Sequence, residues 1–69
     1  MNKINVGIIG YGVVGEKRKI SIDKCKKFNL VAISDKDKKK NPNIKDIKFY
    51  SSYKKLVISE DIDVVFICL

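Results

Sequence analysis

Ile4-Asn5-Val6-Gly7-Ile8-Ile9-Gly10-Tyr11-Gly12-Val13-Val14-Gly15 joins an almost unbroken apolar run to a G-x-G-x-x-G turn. The apolar run, Ile4–Ile9, is rich in β-branched residues and lacks polar alternation, as in a parallel strand buried on both faces. Gly10 to Gly12 break the run. Behind them, Val13–Phe28 places Val13, Val14, Ile20, Ile22, Cys25 and Phe28 among charged residues at a spacing closer to 3.6 than to 2, which predicts a helix, with Asn29 as its stop. A second apolar run, Leu30–Ser34, predicts another strand and ends at Asp35, 20 residues past Gly15. Strand, glycine turn, helix, strand and terminal acid occur here in one βαβ unit.

That combination is the dinucleotide-binding fingerprint, and each residue type has a physical reason. Gly10 permits the tight turn out of the strand. Gly12, without a side chain, lets a pyrophosphate approach the backbone. Gly15 lets the helix pack close to the strand. Val13 and Val14 supply N–H groups at the helix N-terminus, where the dipole and the unpaired donors favour an anion; their side chains are read as core. Tyr11 sits at the apex, where it either lines the cofactor cleft or stands in solvent. Asp35 accepts hydrogen bonds from the adenosine ribose hydroxyls and repels a 2′-phosphate, which favours NAD over NADP. Lys36, Lys38, Lys39 and Lys40 follow directly. A lysine from that run, Lys36 first among them, can pair with a 2′-phosphate, so NADP stays possible, although lysine is a less specific phosphate partner than arginine.

The remainder continues the alternation. Asp37–Lys40 has room for one or two helical turns, and Asn41-Pro42-Asn43 signals a loop. Ile47–Tyr50 reads as a short third strand. Ser51 or Ser52 can cap a helix over Tyr53–Ser59. Glu60-Asp61-Ile62 leads into a fourth strand, Asp63–Leu69. The expected fold is α/β: a partial Rossmann-like parallel sheet of about four strands with helices on both faces. In that topology the fourth strand lies beside the first at the switch point of the sheet. Ile67, Cys68 and Leu69 then either present backbone to the nicotinamide half of the cofactor or form plain core.

At 69 residues the chain has room for one βαβαβ half, and it ends inside an apolar strand. Residues 1–69 are therefore expected to be the N-terminal part of a dinucleotide-binding domain from a longer protein. The net charge is +7, from 15 basic and 8 acidic residues, and every cation except Arg18 is a lysine. These lysines are spread along the chain without interleaved aromatics, as in solvated faces, and no nucleic-acid-binding module is present. With no histidine in the sequence, zinc sites and histidine acid–base chemistry are excluded within this stretch. Cys25 and Cys68 suggest neither a metal site nor a disulfide framework. Met1-Asn2-Lys3 runs straight into the first strand without a signal peptide, and no apolar run approaches membrane-spanning length. A cytoplasmic location is expected.

Four segments resemble the Gfo/Idh/MocA oxidoreductases, in that family's order: Val6–Gly15, Leu30–Asp35, Tyr50–Leu56 and Asp61–Cys68, the last with a D-x-D-x-V-x-I pattern. The resemblance implies an N-terminal Rossmann domain followed by a larger α+β domain. It further implies hydride transfer between NAD(P) and a hydroxyl or carbonyl of a sugar-like substrate, in a full-length homo-oligomer. The family's acid–base lysine belongs to a Glu-Lys-Pro motif after the fifth strand, which these residues do not include, so the chain alone is expected to be inactive. The segment between the second and third strands is shorter than is usual in the family. Two other functions share the glycine turn and acid. One is a non-catalytic nucleotide-binding module with a redox-sensing or regulatory role; the other is an aspartate-pathway dehydrogenase or reductase.

Overall fold

Which residues pair decides where the elements begin and end. A computed structural model describes residues 3–59 and 61–69; Met1, Asn2 and Glu60, the last read as part of the lead into the fourth strand, lie outside the described residues. β1 (Ile4–Ile9) is the centre of the sheet, with β2 (Phe28–Ser34) on one side and β4 (Val64–Ile67) on the other. β3 (Lys48–Tyr50) lies outside β2. All three pairings are parallel, and the order is β3-β2-β1-β4. These are the first four positions of the 3-2-1-4-5-6 order of doubly wound dinucleotide-binding sheets.

α1 covers Val13–Lys24 and α2 covers Tyr53–Ser59. α1 stops one turn earlier than its apolar spacing predicts. Cys25 closes it, donating its N–H to the Ile22 carbonyl at 3.0 Å. The reason is pairing: Phe28 stands opposite Ile4, and the Ile4 N–H reaches the Lys27 carbonyl at 2.8 Å. Phe28 and Asn29, read from sequence as the last helical residue and its stop, are thereby recruited as the first residues of β2. At the other margins β3 starts at Lys48 rather than Ile47, and β4 spans Val64–Ile67 rather than Asp63–Leu69. The polar link between β2 and β3 contains one 3-10 turn, Lys38–Lys40, capped by the Asp37 carboxylate on the Lys39 N–H at 2.9 Å.

The two faces of the sheet are separated by the pleat. Val6 and Ile8 of β1 pack with Tyr11, Ile22, Leu30 and Ile33 under α1. Gly7, on the other face, lies against Leu56 of α2 and Ile62. Leu30 and Ile33 are three residues apart, so a regular strand would place them on opposite faces. A register shift resolves this: Val6 faces Leu30 but Gly7 faces Ala32, so one extra β2 residue is absorbed there. Leu30 and Ile33 then share the α1 face, while the buried Ala32 pairs with Gly7.

α1 meets the sheet along a narrow stripe, with Gly15 and Ile22 buried. At 100° per residue, Val13 and Ile20 project from the opposite side of that helix. Val13 and Val14 are 69% and 55% exposed and Ile20 is 56% exposed. The reading of Val13 and Val14 as core side chains is therefore corrected: helical phase, rather than hydrophobicity, decides which apolar residues α1 buries.

Candidate functional site

β1 ends in the middle of the sheet, and the turn that follows is tied to both neighbours. The Gly10 N–H donates to the Ser34 carbonyl of β2 at 2.8 Å, and the Cys68 N–H donates to the Ile9 carbonyl at 2.8 Å. Gly10 has φ +91°, and a Cβ there would lie 2.7 Å from the Cys68 carbonyl oxygen. Both the backbone angle and the approach of the β4 end demand glycine. Gly15 comes so close to the Gly10 carbonyl oxygen that a Cβ could not be placed between them. The first turn of α1 is thereby pressed against the end of β1. Gly12 is different, since a Cβ built on it meets nothing within 4 Å. It holds the N-cap position of α1 without a side-chain cap, and the first helix bond runs from the Glu16 N–H to its carbonyl at 3.0 Å. The space in front of Gly12 and the donors of the first turn are open together.

Asp35 follows β2, and its own N–H donates to the Tyr50 carbonyl of β3 at 3.1 Å. One carboxylate oxygen, Oδ2, accepts the Tyr11 N–H at 2.7 Å; the other, Oδ1, accepts the Asp37 N–H at 2.8 Å. The Asp37 N–H, then the Tyr11 N–H and the charge of Lys40, hold this carboxyl below the ordinary aspartate value, against an opposing effect of burial. Asp35 is therefore an anion at neutral pH. Each oxygen carries one bond and has a second acceptor position left for a ribose hydroxyl.

A cleft of about 410 Å³ opens at the carboxyl ends of the strands, within the range of small-molecule sites. Four of the residues singled out from sequence line it: Gly10, Asp35, Lys36 and Leu69. Gly12, Val13, Val14 and Gly15 stand at the start of α1. Cys68 is half-buried and packs against the core, with its carbonyl next to Gly10. Tyr11 is neither a cleft wall nor a solvent-exposed apex. The residue is 7% exposed and belongs to the core cluster, and burial raises its phenol pKa. The rest of the cleft comes from Ile9, Ser34, Ser51, Ser52 and Tyr53, which the motif search missed. Their signal was positional, since ligands bind beyond the carboxyl ends of parallel strands, and Ser51 directly follows β3. Ser52 also serves the helix, its carbonyl accepting the Leu56 N–H at 3.2 Å.

An open glycine at an uncapped helix start, and an ionised acid with spare acceptor capacity at the edge of a cleft, fit a dinucleotide. Among the described residues, no helix is long and apolar enough to cross a membrane.

Comparison with known proteins agrees. The sequence profile of the GFO_IDH_MocA family, described as oxidoreductase family, NAD-binding Rossmann fold, matches residues 4–69. No curated protein matches the sequence. Among solved structures, the myo-inositol 2-dehydrogenase of Lactobacillus plantarum superposes with a TM-score of 0.85 at 27% identity. The match covers 99% of this chain and 22% of that one, so these residues span about a fifth of the length of their structural neighbour.

Proposed function

The chain belongs to the Gfo/Idh/MocA oxidoreductase family with its NAD-binding Rossmann fold, and on that footing we propose that it holds NAD in preference to NADP for hydride exchange with a hydroxyl or carbonyl of a sugar-like substrate. The observation that carries the reading is the ionised Asp35, which lines the cleft and is bonded to the glycine turn. A fixed negative charge there accepts hydroxyls and opposes a 2′-phosphate. Bound NAD would supply the hydride-accepting ring. The chain's own residues divide the holding between them: Asp35 takes the ribose, while Gly12 and the first turn of α1 receive the pyrophosphate. The ends of β1 and β4, at Ile9, Gly10 and Leu69, wall the cleft.

The substrate class is suggested by the inositol dehydrogenase neighbour. We further propose that residues 1–69 are the N-terminal part of the dinucleotide-binding domain and that substrate and acid–base groups lie elsewhere in a longer protein, which the 22% coverage of the neighbour supports.

Titration of NAD and NADP against the chain and its Asp35→Ala variant tests the cofactor assignment. NAD is expected to bind about tenfold more tightly than NADP, with the gap narrowed in the variant, since a charge-assisted hydrogen bond contributes on that order. Tighter binding of NADP to the unaltered chain would overturn the assignment. Turnover of a cyclic polyol is expected only when the 69 residues are carried within a longer protein.

A further inference from the structure

We propose that Asp35 is also a positioning residue: its carboxylate fixes the backbone of the glycine turn in the shape that receives pyrophosphate, before any cofactor arrives. This rests on the dinucleotide reading of the cleft and adds to it a coupling between the ribose and phosphate ends.

The turn is tied at Gly10 to the Ser34 carbonyl and is free of close contacts at Gly12. Gly10 and Gly12 flank Tyr11, and glycine is the residue with most backbone freedom. Gly12 meets no side chain that would hold it, and no side chain caps α1. Tyr11 is the fixed point between them. Its ring is anchored in the core, and its N–H points to Asp35 Oδ2 at 2.7 Å. The same carboxylate, through Oδ1, holds the Asp37 N–H at 2.8 Å on the exit from β2. One side chain thus ties the loop after β1 to the loop after β2, with bonds of the strong, charge-assisted kind.

Two consequences follow. The Tyr11 N–H is already satisfied, so pyrophosphate donors must come from Gly12 onward, and Tyr11 contributes to the site by geometry rather than by contact. Removing Asp35 should also weaken ligands that never touch it. Electrostatics alone predicts the reverse, because deleting an anion beside a phosphate site favours the phosphate.

The experiment compares ADP with 2′,3′-dideoxy-ADP, which keeps the phosphates and lacks the ribose hydroxyls. Both are titrated against the chain, Asp35→Ala and Asp35→Asn. The unaltered chain is expected to bind ADP more tightly than the analogue. Asp35→Ala is expected to bind the analogue about tenfold more weakly than the unaltered chain does, the order of one charged hydrogen bond. Asp35→Asn should recover part of that loss, since its remaining oxygen still accepts one N–H. Hydrogen exchange at the Tyr11 amide, measured without ligand, should accelerate in Asp35→Ala while the amide of Leu56, under the opposite face, keeps its protection. Unchanged affinity of Asp35→Ala for the analogue, with reduced affinity for ADP, would confine Asp35 to the ribose and overturn the proposal. If Asp35→Ala does not fold, Asp35→Asn decides by the same criterion: weakened binding of the analogue supports the proposal and unchanged binding overturns it. Failure of the unaltered chain to bind either ligand would instead remove the dinucleotide reading, and this proposal with it.

Discussion

A carboxylate holds a backbone N–H at each end of β1. At the amino end, Asp63 Oδ2 accepts the Asn5 N–H at 2.8 Å, and the Asp63 N–H returns a bond to the Asn5 carbonyl at 2.8 Å. The Asn5 amide adds bonds to the Asp61 carbonyl at 2.9 Å and from Asn29 at 3.3 Å. At the carboxyl end, Asp35 accepts the N–H groups of Tyr11 and Asp37 at nearly the same lengths. The bonds are alike; what they hold is not. Asp63 joins residues that the β1–β4 ladder already aligns, in an exposed setting. Asp35 holds a loop containing a left-handed glycine, beside a cleft, and its ionised form is stabilised there. The same interaction acts as a surface tie at one end of β1 and as a clasp on the glycine turn at the other, because of the backbone it restrains.

Breaking the glycine end directly gives the largest expected effect. In Gly15→Ala the new methyl group meets the Gly10 carbonyl oxygen and stands 3.4 Å from the Tyr11 ring. The first of these is backbone and cannot rotate away, so α1 must lift from β1. A loss of about 2–4 kcal/mol is expected, as for overpacking at a close contact. Urea denaturation followed by circular dichroism checks it, and a stability equal to that of the unaltered chain would mean that α1 does not press on the turn.

Asp35→Asn comes next and separates the two ends by pH. The folded-state pKa of Asp35 is lowered, so its contribution to stability is fully present above the ordinary aspartate value and disappears as pH falls through the lowered one. The chain should therefore exceed the variant by about 1–3 kcal/mol near neutrality. The difference should shrink only in the acid range below the ordinary carboxylate value, where the carboxyl gains its proton against the pull of the two N–H groups and Lys40. Denaturation midpoints over that range measure this, and a constant difference down to strong acid would show that the charge has no part in the clasp.

These two residues also mark what the sequence made legible. Gly15 and Asp35 were found because motif spacing reports backbone geometry: a close helix contact needs glycine, and an acid after the second strand lands beside the turn. The parallel sheet followed from the alternation of strand and helix signals. Tyr11, Val13 and Val14 were misplaced because their environment depends on tertiary placement. Val13 faces away from the sheet by helical phase, and Tyr11 folds under α1 because the turn aims it there. Phe28 was assigned to the helix on hydrophobic spacing, whereas its pairing with Ile4 is a long-range event that local periodicity does not encode. Ser51, Ser52 and Tyr53 enter the cleft only because β3 ends level with β2.

A smaller effect on the fold is expected from Gly12→Ala. Its φ of −88° and ψ of −152° suit alanine, and a methyl group meets nothing. Stability should fall by no more than about 1 kcal/mol, the difference between glycine and alanine as N-cap residues. NAD affinity should nevertheless fall, because the methyl group fills the space through which the pyrophosphate would approach. Calorimetric titration beside a melt reads both. Loss of stability with unchanged affinity would place the phosphates elsewhere.

Asp63→Ala is expected to do least, and that small effect completes the contrast between the ends of β1. It removes one exposed acceptor from the Asn5 N–H, which water can replace, while the ladder from Val6–Val64 to Ile9–Ile67 and the Asn5–Asp61 bond remain. A neutral-pH loss of about 0.5–1 kcal/mol is the scale of one solvent-accessible hydrogen bond. NAD affinity should match that of the unaltered chain, since Asp63 stands at the opposite end of β1 from the glycine turn. Should Asp63→Ala weaken NAD as strongly as Asp35→Asn does, the two carboxylates would be acting on β1 as a whole, and the cleft could no longer be credited to the turn alone.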